Sequence, residues 1–501
     1  LEIKKLLCFE MRLESVDDDV TFGSLGVDSL FGLEIGEKLS ALFCVTLSPT
    51  LVLDYPTPKR LAHHILGCLK SQLGVTEEQE KNLGSIIEGS QKEEDEEDRI
   101  FVTGIGCKFC CSENIQELWE HLMGGKSGAR VIPQNRLVGT DNKEDPMLGL
   151  GHLIDDVDKF DGALFEILGA EANAMDPQHR LLLEMTWRAI EDANITAEKL
   201  RTSKTAVYVG MGGSEYGTLS PELEHGGKSN VYGLSGVMPS IAAGRISHFF
   251  GLQGPSLVVD TACSSSLVAV HLGCTSIKKG ECDLALVGGV NLVLAQQSTK
   301  LLRQVQALSP DGRCHTFDAY ANGYVRGEGC GVLVLSRGNH EYITRKPIME
   351  ILGSAVNHDG RTSALTAPNG PAQEKVLREA LANAQISAAD VQVLEAHGTG
   401  TQLGDPIEMR ALESVYGGHT RRTPLLIGSV KTNIGHTEAA AGIAGLIKLA
   451  LSFNYGVLPP HLHFRTVNPH LIDTGKFPCI IPVTQMEWRR SQIREQKRIG
   501  S

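Results

Sequence analysis

Long apolar runs are missing from this 501-residue chain. None reaches the roughly 20 residues a membrane-crossing helix needs, and the N-terminus Leu1-Glu2-Ile3-Lys4-Lys5 has no hydrophobic signal region. The chain is therefore expected in the cytoplasm, without membrane or secretory sorting. A basic surplus is missing too, since the formal net charge is −13, which argues against a nucleic-acid surface. No Gly-x-Gly-x-x-Gly occurs, so the glycine-rich stretch Gly323–Gly331 does not read as a nucleotide site. No Gly-x-Ser-x-Gly elbow occurs either, which excludes that type of serine hydrolase or acyltransferase. Cys107, Cys110 and Cys111 lack a second Cys/His pair at finger spacing, and His63-His64 and His461-Leu462-His463 lack a ligand set, so no metal is expected. Twelve cysteines over so long a chain read as reduced thiols, not as a disulfide framework.

What is present is a globular composition, 42% hydrophobic and 21% charged, in a length that allows about three ordinary domains or fewer large ones. One break stands out. Gln91-Lys92 is followed by six consecutive acids, Glu93–Asp98, with no apolar periodicity, and reads as a solvated linker. The chain then divides into residues 1–72, a flexible acidic linker 73–98, and residues 99–501. A coil of that linker's length spans about 28 Å.

In the first unit Leu30, Leu33, Leu39 and Leu42 fall roughly on one helical face, and Leu61, Ile65 and Leu69 recur at helical spacing. A small helical bundle is expected. The large unit alternates apolar runs (Thr205–Gly210, Asp283–Val287, Gly331–Leu335, Val391–Glu395, Leu425–Val430) with helical stretches (Gln178–Ala193, Ser264–Ile277, Gln373–Ala384, Glu438–Phe453). That alternation predicts an α/β architecture with largely parallel sheets.

Four positions invite chemistry. Cys263, in Asp260-Thr261-Ala262-Cys263-Ser264-Ser265-Ser266, follows a strand-like run and opens a helix, where free N–H groups and the helix dipole favour a thiolate. His397 lies in Glu395-Ala396-His397-Gly398-Thr399-Gly400-Thr401, and His436 in Lys431-Thr432-Asn433-Ile434-Gly435-His436-Thr437-Glu438. Each of these segments follows an apolar run, and loops after strand ends are where α/β proteins gather catalytic groups. Ser29, in Gly26-Val27-Asp28-Ser29-Leu30, would place an attached phosphate at a helix start, although Asp-Ser before an apolar run is also an ordinary N-cap.

Two resemblances join these positions. Asp18–Ser29 with Leu53-Asp54-Tyr55-Pro56-Thr57-Pro58 resembles the acyl carrier proteins of type I polyketide synthases, in which the motif serine, here Ser29, bears 4′-phosphopantetheine. Residues from about Arg99 to Arg498 resemble the ketosynthase domain of the same synthases, in the thiolase superfamily. The matching segments include Gly104–Phe109, Met175–Glu184, Asp260–Leu267, Gly312–Gly331, His397–Asp405 and Lys431–Gly442.

The resemblance implies a four-helix carrier followed by a layered αβαβα thiolase-like fold of two similar halves. It places the active-site cysteine on Cys263, the two catalytic histidines on His397 and His436, and a supporting lysine and its partner glutamate on Lys431 and Glu438. It also implies chain extension by decarboxylative Claisen condensation, with acyl and malonyl-type thioesters on carriers as substrates and neither a metal nor a nucleotide. A phosphopantetheinyl transferase, an acyltransferase elsewhere and a second copy of the chain are the implied partners.

Family members run past Arg498-Ile499-Gly500 into a strand, a Gly-Phe-Gly-Gly loop and a closing strand, so the chain is expected to be a C-terminally incomplete piece, also lacking an initial Met. The competing readings are an animal-type fatty acid synthase fragment and a module that holds acyl groups without extending them.

Overall fold

The structure, a computed structural model, describes residues 57–72, 99–133, 136, 149–219, 231–338, 346–417, 421, 423–471, 477–488 and 497–501, with scattered residues between 17 and 55. The chain forms two compact units, Leu1–Asp95 and Glu96–Ser501. In the first, α1 (Pro58–Gln72) sets Leu61 and Ile65 against Phe22, Ile35, Leu39 and Leu51. Leu42 is 50% exposed and leaves the expected face. Ser29 and residues 73–98 lie outside the described residues.

The second unit is built on a six-stranded sheet. Its strands are β1 (Ile100–Phe109), β2 (Thr205–Met211), β3 (Ser256–Val259), β4 (Leu284–Asn291), β5 (Gly329–Arg337) and β6 (Met349–Ile351), in the order β3-β2-β4-β5-β1-β6. A smaller parallel sheet orders β9 (Cys479–Ile480), β8 (Leu425–Gly428) and β7 (Val393–Glu395). Ile499–Ser501 run beside β7, with Ser501 N–H donating to Val393 O and Glu395 N–H to Ser501 O.

The central strands are apolar on both faces, as strands covered on both sides must be. Val207 and Val209 of β2, Leu284 and Leu286 of β4, and Val332 and Val334 of β5 point one way. They meet α2 (Pro177–Asp192) and α3 (Pro239–Phe250). Ala206 and Tyr208, Ala285 and Val287, and Leu333 and Leu335 point the other way. They meet α4 (Ser265–Lys278) and α7 (Ala441–Tyr455). Beyond α7 lies the smaller sheet, whose far face packs Leu394, Leu425 and Ile427 on α5 (Gly370–Asn383) and α6 (Gly404–Tyr416). Five layers result, αβαβα.

Helix starts follow local chemistry. Asp176 caps α2 by accepting from Gln178 N–H, with Pro177 at the first position.

The larger sheet is mixed, not largely parallel: β2 pairs parallel with β3 and β4, but β5 is antiparallel to both β4 and β1, and β6 is antiparallel to β1. The reason is the connection. Asn291 at the end of β4 sits opposite Gly329 at the start of β5, so residues 292–328 return at the same end of the sheet as a long excursion, without crossing to the other end. That excursion brings Thr299, Tyr324 and Arg326 to the site.

Candidate active site

Cys263 lies in a single 3₁₀ turn, Ala262–Ser264, between β3 and α4. Ala262 has φ 54°, a left-handed conformation disfavoured for a residue with a side chain. The turn is held by Ala262 N–H donating to Asp260 Oδ1 (3.1 Å), Thr261 N–H to Ser265 Oγ (2.9 Å) and Ser265 Oγ–H to Ala262 O (2.6 Å). The start of α4 sits directly on the sheet, because a Cβ at Gly210 would come within 2.5 Å of Ser266 N and one at Gly289 within 2.8 Å of Ala439 O. The glycine at 289 thus lets the cysteine helix and the His436 segment approach the same strand.

His436 comes from the segment between β8 and α7. Its backbone is stitched to the excursion, His436 N–H donating to Val325 O and Gly327 N–H to His436 O, each at 2.8 Å. Its Nδ1 accepts from Glu438 N–H at 3.0 Å, which leaves the ring proton on Nε2. Nε2–H then points at Cys263 Sγ, 3.0 Å away. In this tautomer His436 is a donor to the sulfur and to whatever replaces its proton, not a base for it. The His397 ring lies beside that of His436, with ring centroids 5.6 Å apart and planes at 85°. Burial, then Lys431 and His397, hold His436 well below the usual imidazole range, so it is neutral at physiological pH. His397 is exposed to solvent, yet protein crowds its ring and, with Lys431, lowers it as well.

The structure brings Cys263, His397 and His436 together, and it corrects two expectations about their surroundings. Burial raises the Cys263 thiol above its ordinary value, and Lys431 only partly offsets this. The cysteine sits in the turn ahead of α4, whose N-cap is Ser264, so desolvation outweighs the helix start as an influence on the thiol. Glu438 does not pair with Lys431. Its carboxylate meets Arg326, at 2.6 Å from Nε and 3.3 Å from Nη2, and Arg326 also reaches Glu215 (3.3 Å) and Thr299 Oγ1 (2.8 Å). Lys431 is buried in the turn Lys431–Ile434 and makes no ion pair among the described residues.

Sequence reading missed three supporting groups. Glu408 on α6 accepts from His397 N–H (2.6 Å) and Gly398 N–H (2.8 Å). Arg326 anchors Glu438. His461 accepts from Ser429 N–H at Nδ1 (3.2 Å), and its Nε2 faces Thr316 O (3.3 Å). Residue type and local spacing mark none of them, because Arg326 reaches a carboxylate 112 positions away, His461 a backbone 32 positions away, and Glu408 turns back from α6 onto the loop before it.

A thiol in a strained turn beside two neutral imidazoles, set where two sheets share a helix layer, defines a thiolase-like condensing enzyme. Comparison with known proteins agrees. Residues 97–341 match the N-terminal domain and 348–465 the C-terminal domain of beta-ketoacyl synthases, and 2–65 match the phosphopantetheine attachment site family.

The chain is 42% identical over 470 residues to mycoketide-CoA synthase and 43% identical over 487 residues to one subunit of phenolphthiocerol/phthiocerol polyketide synthase, both of Mycobacterium tuberculosis. These alignments cover 91% and 95% of this chain but 11% and 25% of the relatives, so the chain spans a quarter or less of their lengths. Among solved structures, the ketosynthase from module 6 of the bacillaene synthase of Bacillus subtilis 168 superposes with a TM-score of 0.73 at 38% identity, over 79% of this chain and 68% of that one. The oxazolomycin ketosynthase domain OzmH KS7 of Streptomyces albus JA3453 gives 0.73 at 34% identity, over 78% and 70%.

The chain belongs to the beta-ketoacyl synthase family, as a ketosynthase domain of the modular polyketide synthase type preceded by a phosphopantetheine attachment domain. Its prosthetic group is accordingly covalent 4′-phosphopantetheine. Among the described residues no helix is long and apolar enough to cross a membrane.

Proposed function

We propose that this chain performs one extension step in polyketide assembly, with Cys263 as the acyl acceptor and His397 and His436 as the donors that drive decarboxylation. The carrying observation is the 3.0 Å contact between His436 Nε2 and Cys263 Sγ with the His397 ring 5.6 Å from that of His436. In the first half-reaction the Cys263 sulfur attacks an acyl thioester carbonyl, the pantetheine thiol leaves, and the acyl group rests on Cys263. The raised thiol means little thiolate stands ready at neutral pH, so His436 Nε2–H and Lys431 act by stabilising the anion as it forms. In the second, a malonyl-type thioester loses CO₂. The electron pair left behind delocalises onto the thioester oxygen, which accepts from His436 Nε2–H and from the ring N–H of His397. The enolate carbon then attacks the acyl carbonyl, the C–S bond to Cys263 breaks, and a β-ketoacyl thioester two carbons longer leaves on its carrier. Loss of one such donor typically costs roughly 10²–10³ in rate.

Ser29 would carry the pantetheine arm. It lies outside the described residues, so this assignment is supported by its motif and the family match over residues 2–65. A phosphopantetheinyl transferase would install the arm, and an acyltransferase elsewhere would load the extender. The reading includes a homodimer. Its support is β3, an outer strand whose Ser256 and Leu257 are exposed, Leu257 by 43%, directly before the cysteine turn.

Incubation of the phosphopantetheinylated chain with an acyl thioester and a malonyl-carrier is expected to release CO₂ and give the β-ketoacyl thioester. Acylated Cys263 without CO₂ release would refute the extension reading in favour of an acyl-holding module. Ser29→Ala is expected to gain no pantetheine mass.

A further inference from the structure

Far from Cys263 in the sequence, Cys110 and Cys111 are the two central residues of the tight turn that closes β1, in which Phe109 and Ser112 exchange both backbone hydrogen bonds at 3.0 Å. Their sulfurs are 3.5 Å apart. The two thiols differ in every other respect. Cys110 is wholly buried, with its sulfur 3.2 Å from Gly128 O, whereas Cys111 is exposed on left-handed backbone, φ 60°. Gly128 is packed tightly there, since a Cβ on it would lie 2.4 Å from Cys110 Sγ and 3.2 Å from His152 Nδ1.

We propose that Cys110–Cys111 is a thiol–disulfide exchange site, in which Cys111 attacks a small-molecule disulfide such as glutathione disulfide and Cys110 resolves the adduct. The Cys111 sulfur attacks one sulfur of the reagent, whose S–S bond breaks and releases one thiolate. Cys110 then gives up its proton and attacks Cys111 Sγ, forming the Cys110–Cys111 bond and expelling the second thiolate. One external disulfide is reduced to two thiols as the pair is oxidised, and no other oxidant is needed.

Exposure admits the reagent to Cys111 alone, and the sulfurs must close from 3.5 Å to the ~2.05 Å of a formed bond. The Cα atoms of adjacent residues are about 3.8 Å apart, short of the usual disulfide span, which makes the bond formed a readily reduced one. The hydrogen bond from Cys110, then Arg130 and Lys126, favours thiolate at Cys111 over the burial that opposes it, while that hydrogen bond and burial keep the proton on Cys110.

The exchange would reach the active site through hydrogen bonds already in place. Cys110 donates its proton to Gly128 O when Cys111 does not claim it. Gly128 N–H donates to Asn433 O at 2.9 Å, and Asn433 Nδ2 donates to Lys126 O at 3.2 Å. Asn433 belongs to the Lys431–Ile434 turn that leads into His436. Oxidation removes the thiol donor and draws the Cys110 sulfur away from the segment that clasps this turn.

The test uses the full chain, reduced and then exposed to glutathione disulfide, with peptide mapping by mass. Cys111 is expected to react roughly tenfold faster than half-buried Cys479. The Cys110/Cys111 peptide is expected to lose two hydrogens, reversibly with dithiothreitol. Cys110→Ser is expected to stop at one glutathione on Cys111, and Cys111→Ser to leave Cys110 reduced. Amide hydrogen exchange at residues 433–436 is expected to quicken on oxidation of the wild type and not of Cys111→Ser. A wild-type chain that keeps glutathione on Cys111, or leaves it unmodified while Cys479 reacts, overturns the assignment. A vicinal disulfide with unchanged exchange at 433–436 overturns its link to the active site.

Discussion

Glu408 offers a way to disturb one histidine while leaving the other and the cysteine untouched. Its two carboxylate oxygens accept from His397 N–H at 2.6 Å and Gly398 N–H at 2.8 Å, so it fixes the loop by its backbone and never touches the ring. Glu408→Gln keeps the size and one acceptor oxygen, but turns the second oxygen into an NH₂ group facing an N–H. A hydrogen bond to a charged group contributes about 1.5–3 kcal/mol. Glu408 is half-buried, which favours the lower part of that range. Losing one such bond, weakening the other and adding a donor–donor contact sums to about 3 kcal/mol against the present loop geometry.

At 1.36 kcal/mol per factor of ten, that corresponds to roughly 10² in the population with His397 in position. The assay separates the half-reactions: mass-detected acylation of Cys263 and labelled CO₂ release from a malonyl thioester. Decarboxylation is expected to fall by roughly 10², while acylation stays near the wild-type rate, because His436 is held independently by Val325, Gly327 and Glu438. Equal loss in both half-reactions, or no loss in either, would show that Glu408 does not act through the His397 loop.

Three further outcomes follow from the same geometry. Because burial raises the Cys263 thiol, its alkylation by iodoacetamide is expected to climb about tenfold per pH unit from 7 to 9, while Cys111, whose thiol is lowered, is expected to have levelled off; parallel profiles would contradict this. Arg326→Met strands Glu438 and Glu215 without their shared cation, and loss of one buried partner costs about 3–5 kcal/mol, to be read as a drop in the denaturant midpoint for unfolding. If β3 forms the proposed dimer seam, Val258→Pro turns that dimer into a monomer in analytical ultracentrifugation, since proline removes a donor and blocks strand pairing.

The periodicity of the large unit was plain in its residues. The five apolar runs became β2, β4, β5, β7 and β8, and the four helical stretches became α2, α4, α5 and α7, each displaced by a few residues. Such segments are legible because strands covered on both faces cannot hide their apolar character. Direction was not legible, because whether β5 runs with or against β4 depends on where residues 292–328 re-enter the sheet, and no local pattern encodes that.

The site divides in the same way. Cys263, His397 and His436 follow strand ends beside small residues, and each could be picked out. The partner of Glu438 could not, since the resemblance implied Lys431, whereas the fold brings Arg326 in from the excursion. The thiol was misjudged for a related reason. A helix start is visible in sequence, but the depth at which it is buried is a property of the packed layers.

Those layers impose a tight mechanical tolerance. The strand β3 delivers the cysteine from one sheet, β7 and β8 deliver the histidines from the other, and the shared helices, with the backbone bonds that tie His436 to Val325 and Gly327, set the 3.0 Å gap from Cys263 to His436. A slip of about 1 Å between the sheets would leave every strand and helix intact, yet misplacement on that scale can cost about 10²-fold in rate. Turnover is thus a gauge of layer registry, and on warming it should fail while circular dichroism still reports a folded molecule.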